Sequence, residues 1–197
     1  VGGGVSNVAP GARVTVEPCI TCGQCDACRH GEYSYCENIS FTYRRGDGAM
    51  ADYVVVKAPY VYELPQELSY EAGALIEPLS VATHAVRRAQ VGLGETVLIV
   101  GAGAIGMMAG AICRRCGAAQ VIIADLSDQR LEAALGLGAT HAVNSGKQDL
   151  ERELARLTGG KGVDKSFECV GREVCFNQAV MALKKNGTCT AVGIYEQ

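Results

Sequence analysis

An α/β fold, in which a parallel sheet follows a smaller irregular β region, is predicted by three features of this 197-residue chain. From about residue 79 onward, short β-branched runs alternate with helix-length segments, the rhythm of strands joined by right-handed crossovers in a parallel sheet. Before that point, short apolar or alternating runs are broken by Pro, Gly and Asn, which suggests irregular β structure over residues 1–78. Within that first region stand four cysteines, Cys22, Cys25, Cys28 and Cys36, at C-x2-C-x2-C-x7-C spacing inside fifteen residues.

Taken in order, Arg13 to Val16, Ala51 to Lys57 and Val61 to Leu64 read as strands of the first region. The junction is Ile76-Glu77-Pro78-Leu79-Ser80, where Pro78 is expected as the first residue of a helix running to about Gln90. A residue before proline is pushed out of helical geometry, so Glu77 is expected at a bend between the two regions. Beyond it, strands are predicted at Val97–Val100, Val121–Ala124, His141–Val143, Lys165–Cys169 and Thr188–Val192. The helices between them are placed at Ala104–Cys116, Asp128–Leu137, Asp149–Leu157 and Glu173–Leu183.

The four thiols predict a structural zinc lobe over about residues 19–38. A tetrahedral ion needs four soft ligands, and two tight knuckles plus a short return loop deliver them from one segment. Cysteines three apart would close strained disulfide rings, and no charged-then-apolar leader points to an oxidising compartment. An all-cysteine cage has no open position for substrate or water, so its expected role is to hold a loop in shape. Cys19 reads as a spectator.

A net charge of −3 with 20% charged residues gives no electrostatic footprint for nucleic acid, and a cytoplasmic location is expected. Thr96 to Cys113 is uncharged for eighteen residues, but Gly101, Gly103, Gly106 and Gly110 interrupt it, so a strand, a turn and a helix are expected in place of a membrane span.

Val97-Leu-Ile-Val100 leads into Gly101-Ala-Gly103-Ala104-Ile105-Gly106, a G-x-G-x-x-G between strand and helix. The first glycine permits the tight turn, the second lets the backbone approach a pyrophosphate, and the third lets helix and sheet pack closely. Asp125 follows nineteen residues after Gly106 at the end of the second strand, where a carboxylate can accept from both ribose hydroxyls and would repel a 2′-phosphate. Together these predict a Rossmann-type dinucleotide site selective for NAD, with Arg130 too ordinary on an exposed helix to argue for NADP. The alternative for Asp125 is a helix cap before Leu126-Ser-Asp.

The zinc lobe, the Glu77-Pro-Leu-Ser turn, the glycine turn and Asp125 occur in an order that resembles the zinc-dependent medium-chain alcohol dehydrogenases, in particular their polyol and secondary-alcohol branch. Val14-Thr-Val-Glu17-Pro18, Asp47-Gly48-Ala-Met-Ala-Asp-Tyr53 and Ile76 to Val81 carry the same resemblance. It implies a GroES-like catalytic domain before the Rossmann sheet, and hydride transfer between a secondary alcohol or its ketone and NAD. It also implies that Glu77 is a ligand, or the partner of a ligand, of a second, catalytic zinc. The family's other ligands, a cysteine and a His-Glu pair, are not found here, and the family continues beyond Ile194 with a further strand. The chain is therefore expected to be an internal fragment with an exposed sheet edge, inactive alone, from an enzyme that forms a homodimer or homotetramer.

Resemblance also places Cys169, Val170, Val192 and Gly193 near the nicotinamide, at the carboxyl ends of successive strands. Phe41, Tyr43, Arg44 and Arg45 are weaker candidates for reaching substrate. His30 is expected in solvent, His84 packed or capped on its helix, and His141 structural. The competing readings are a noncatalytic NAD-binding or redox-sensing module using Cys113, Cys116, Cys169, Cys175 and Cys189, and a zinc-ribbon nucleic-acid module, which Asp26, Glu32 and Glu37 disfavour.

Overall fold

A computed structural model describes residues 1–41 and 48–195; Tyr43, Arg44, Arg45 and Asp47 lie outside the described residues. The chain divides into two compact units, Val1–Glu77 and Pro78–Gln197.

The first unit holds two antiparallel pairs: β1 (Val14–Val16) with β4 (Val61–Glu63), and β2 (Cys19–Ile20) with β3 (Ser40–Phe41). Between β2 and β3 come a four-residue helix, α1 (Asp26–Arg29), and a 3-10 turn at Tyr33–Tyr35. With so little apolar material, polar ties hold the unit. The Thr21 amide donates to the Tyr60 hydroxyl at 3.0 Å, fixing the start of the cysteine segment. The Arg13 guanidinium donates to the Gln66 carbonyl at 3.0 Å and lies 4.5 Å from the Tyr70 ring centroid, a cation–π contact. The strand expected at Ala51–Lys57 does not form: that stretch is without ladder partners among the described residues, with Tyr53 and Val55 exposed. Alternating apolar residues specify a strand only when a neighbour takes up the backbone donors and acceptors.

A short helix, α2 (Tyr70–Ala74), capped by the Ser69 hydroxyl accepting from the Ala72 amide at 3.1 Å, runs almost directly into α3 (Ile76–Ala89). This corrects the expected bend. The helix starts at Ile76, so Glu77 is helical and Pro78 is its third residue, tolerated because first-turn amides have no intrahelical acceptor.

The second unit is a five-stranded parallel sheet of β5 (Thr96–Val100), β6 (Gln120–Asp125), β7 (His141–Asn144), β8 (Val163–Glu168) and β9 (Leu183–Ala191), ordered β7-β6-β5-β8-β9. The helices are α4 (Ala104–Arg115), α5 (Asp128–Gly136), α6 (Leu150–Thr158) and α7 (Glu173–Met181). Successive strand residues point to opposite faces, so Val97, Ile99, Val121 and Ile123 pack with Ala82, Val86, Ala109 and Leu131 of α3, α4 and α5. Leu98, Val100, Ile122 and Ala124 pack on the other face with Leu150, Leu154 and Ala179 of α6 and α7. Each fully buried Leu or Ile contributes about 1.5–3 kcal/mol of apolar burial, which makes this two-sided core the main stabilising feature. The uncharged stretch Thr96 to Cys113 is thus β5, a turn and most of α4, and among the described residues no helix is long and apolar enough to cross a membrane.

The sheet starts in the middle, grows outward through β6 and β7, then returns to the other side of β5 with β8 and β9. The order reverses between β5 and β8, and in such sheets the crevice beyond the strand ends at the reversal is where ligands bind.

Candidate functional site

Two loops meet at that reversal. The turn after β5 opens with Gly101 at φ +104, a left-handed conformation that a side chain would strain, and its amide donates to the Ala124 carbonyl at 2.8 Å. Gly103 is the N-cap of α4 in ordinary extended backbone, and a β-carbon there would meet nothing within 4 Å. A β-carbon at Gly106 would collide with the Gly101 carbonyl oxygen and lie 3.2 Å from Ile99 Cγ2. The three glycines therefore serve three different ends: the turn, an open face before a helix N-terminus, and close packing of α4 on β5. Exposed Ala104 and half-buried Ile105 form the first turn of α4, whose amides face that opening.

Asp125, the last residue of β6, has one carboxylate oxygen accepting from the Ala102 amide at 2.7 Å and the other accepting from the Ser127 amide at 2.9 Å. The carboxylate is thus anchored beside the glycine turn, and each oxygen retains a lone pair. Asp125 is not the cap of α5. That role falls to Ser127, whose hydroxyl accepts from the Arg130 amide at 3.4 Å, and the Arg130 side chain is exposed. The donors and the opening fit a dinucleotide: amides for the pyrophosphate, an oriented acceptor for the ribose.

The loops after β8 and β9 lie at the same edge. The Cys169 amide donates to the Val100 carbonyl at 2.9 Å, and a β-carbon on Gly101 would stand 2.7 Å from Val170 Cγ2, so Cys169 and Val170 border the glycine turn. Val192 and Gly193 donate to the Glu168 carbonyl at 2.8 and 3.0 Å. Glu168, the last residue of β8 and the start of the loop that resemblance places near the nicotinamide, is fully buried. Its carboxylate accepts from the Val170 and Gly171 amides, both at 2.8 Å, and from the Tyr195 hydroxyl at 2.7 Å. Desolvation, followed by the Glu168 interaction, pushes the Tyr195 phenol up to about 12, so it remains a donor at neutral pH. The one signal in the sequence was an acid set between Phe167 and Cys169 where a buried strand should be apolar.

In the first unit, the Sγ atoms of Cys22, Cys25, Cys28 and Cys36 all lie within 4.8 Å of one another, and those of Cys22 and Cys28 are 4.0 Å apart. Four sulfurs around a tetrahedral zinc at ~2.3 Å stand about 3.8 Å from each other, so the cluster fits the ion. Amides already point at the sulfurs: Cys25 N donates to Cys22 Sγ and Cys22 N to Cys36 Sγ, both at 3.3 Å. Backbone amides of Gln24 and Cys25 lower the Cys22 thiol to about 6, whereas desolvation pushes Cys28 up to about 12. Cys19 stands outside the cluster, paired with Phe41 across β2 and β3, and is pushed up to about 11 by burial and then by the Glu17 and Glu77 carboxylates. Around Glu77, which is exposed in the first turn of α3, the described residues gather no such group of ligands.

His30 is exposed, with Nδ1 2.9 Å from the Asp26 carbonyl; His141 is half-buried beside the Thr140 hydroxyl at 2.9 Å. His84 is exposed on α3 and not packed, because Ala82, Ala85, Val86 and Ala89 form the buried stripe of that helix.

The zinc-binding dehydrogenase family matches residues 104–197, and the alcohol dehydrogenase GroES-like domain matches residues 1–66. This chain belongs to the zinc-binding dehydrogenases. Among relatives of these dehydrogenases, sorbitol dehydrogenase of Bacillus subtilis (strain 168) is 39% identical over 198 residues, covering 100% of this chain and 56% of its own length. L-idonate 5-dehydrogenase of Vitis vinifera is 40% identical, covering 98% of this chain and 54% of its own. The structure of a putative zinc-binding dehydrogenase from Sinorhizobium meliloti 1021 bound to NADP superimposes with a TM-score of 0.90 at 32% identity, over 98% of this chain and 57% of that one. The chain spans about half the length of the curated relatives it matches.

Proposed function

We propose that this chain is part of an NAD-dependent, zinc-containing oxidoreductase that transfers hydride between a secondary alcohol, a polyol or related metabolite, and the nicotinamide. The observation that carries the reading is the anchored Asp125 carboxylate beside the open face at Gly103, at the point where the strand order reverses. Bound NAD supplies the hydride acceptor, and zinc in the four-cysteine lobe supplies shape.

The chain's own residues bind and orient. Amides at the start of α4 receive the pyrophosphate beside Gly103, Asp125 accepts from the adenosine ribose, and the loops at Cys169, Val170, Val192 and Gly193 border the nicotinamide. Glu77 is proposed as a metal ligand, or the partner of one, in the complete enzyme; its structural alternative is a carboxylate favoured by the α3 N-terminus. Glu77→Gln should lower turnover of the complete enzyme strongly, and unchanged turnover rejects the ligand role. A homodimer or homotetramer, a small alcohol or ketone as substrate, and a cytoplasmic location complete the reading.

The Sinorhizobium relative holds NADP, so cofactor choice is the point to test. Asp125 is placed to repel a 2′-phosphate, and fluorescence titration should give tighter binding of NADH than of NADPH; the reverse order overturns the NAD assignment. Against the redox-sensor reading, burial pushes two of its five cysteines, Cys113 and Cys169, up to about 12, which disfavours the thiolate at those positions.

A further inference from the structure

Five donors from two separate loops converge on one residue at the ligand edge of the sheet. Glu168 takes the Val170 and Gly171 amides and the Tyr195 hydroxyl on its carboxylate, and the Val192 and Gly193 amides on its carbonyl. It is fully buried, and none of the ion pairs among the described residues includes it. Burying an acid without a cation is costly unless its lone pairs are filled, and here three donors at 2.7–2.8 Å fill them. The loops are pressed together around it. A β-carbon on Gly193 would stand 2.5 Å from the Glu168 carboxylate, and one on Gly171 would collide with the Ile194 carbonyl. Tyr195 is itself held from the side by Phe176, ring centroids 6.4 Å apart and planes at 85°.

A core position in β8 needs no acid for packing; an apolar side chain of the same length would fill it without the cost of dehydrating a carboxylate. What an acid does here that an apolar residue cannot is tie the Val170 and Gly171 amides of the loop after β8 to the Tyr195 hydroxyl of the loop after β9; the Val192 and Gly193 amides go to the main-chain carbonyl, which any residue would offer. Those loops border the glycine turn on the side of β8 and β9, away from Asp125 on β6. We propose that Glu168 is a positioning residue for the cofactor: it clamps the loops after β8 and β9 at the separation that receives the nicotinamide half of the dinucleotide, with Tyr195 closing the clamp. The proposal rests on the dinucleotide reading of this edge.

The test compares two ligands on the intact chain, NADH and ADP-ribose, the second lacking only the nicotinamide. Removing Glu168 strips the acceptor from three donors and can unfold the unit, so the deciding variant is Tyr195→Phe, which deletes one hydroxyl from a residue that is 41% exposed. Part of the loss of that hydroxyl's hydrogen bond to Glu168 is transmitted through the loops, and NADH affinity falls by roughly 3–10-fold. ADP-ribose affinity stays within about twofold, since its contacts lie on the far side of the turn. Glu168→Ala, where it folds, shows the same selectivity with a larger loss of NADH. Equal loss of both ligands means that the clamp only holds the fold and overturns the proposal, as does unchanged NADH affinity in Tyr195→Phe. A wild-type chain that binds ADP-ribose as tightly as NADH removes the nicotinamide contact and the proposal with it. A wild-type chain that binds neither overturns the dinucleotide reading itself.

Discussion

Gly103 and Gly106 lie three residues apart and should respond to one added methyl group in opposite ways. At Gly106 the methyl meets the Gly101 carbonyl and Ile99, so Gly106→Ala should push α4 off β5 and cost about 1–3 kcal/mol, read as a lowered thermal midpoint. At Gly103 the backbone is extended and the space is empty, so Gly103→Ala should change stability by less than about 0.5 kcal/mol. It should nevertheless weaken NADH by about tenfold, because the methyl occupies the approach of the pyrophosphate. Equal thermal shifts in the two variants, or full NADH affinity in Gly103→Ala, would contradict the division of labour. These roles were legible in the sequence because each depends on a missing side chain and on local order along the chain. Glu168 and the anchoring of Asp125 on Ala102 were less legible, since their partners come from other strands and loops that only folding brings together.

At the level of elements, β5 and β8 are tied at their starts as well as along their length. The Asp164 carboxylate accepts from the Thr96 amide at 2.9 Å and pairs with Lys184 at the start of β9. Burial alone would raise its pKa, but Lys184 and the amide outweigh that and hold it below the ordinary 3.8. The carboxylate's contribution is therefore fully present above the unfolded value and is lost as pH falls from there through the depressed folded value. Thermal midpoints recorded from pH 7 down to acid should show wild type above Asp164→Asn at neutral pH, with the gap closing below about pH 4. A gap that is constant with pH would deny the ionised tie. The alternating strands and helices of this unit were readable from periodicity. The start of β9 was not: Asn186 at φ +66 and Gly187 look like a turn, whereas they sit within a strand that runs from Leu183, opposite the register shift between Val163 and Lys165. Ala51–Lys57 shows the reverse error, a strand-like pattern with no ladder to join.

Across the whole chain, two kinds of information are combined in a length that covers 56% of the Bacillus sorbitol dehydrogenase. The lobe is a local device, four ligands inside fifteen residues, and so was legible from spacing alone. The dinucleotide edge was half legible, its glycine turn local and its second half built from strands far apart in sequence. The proposed catalytic metal is the least legible, because its one candidate ligand, Glu77, is assigned from resemblance and not from ligands gathered in space among the described residues. One metal ion is accordingly expected on this chain, in the lobe. Elemental analysis of the purified chain under reducing conditions tests that count. About one zinc per chain is expected, lost in a Cys36→Ser variant that keeps NADH binding; no zinc would undo the lobe, and two would require a second site built around Glu77.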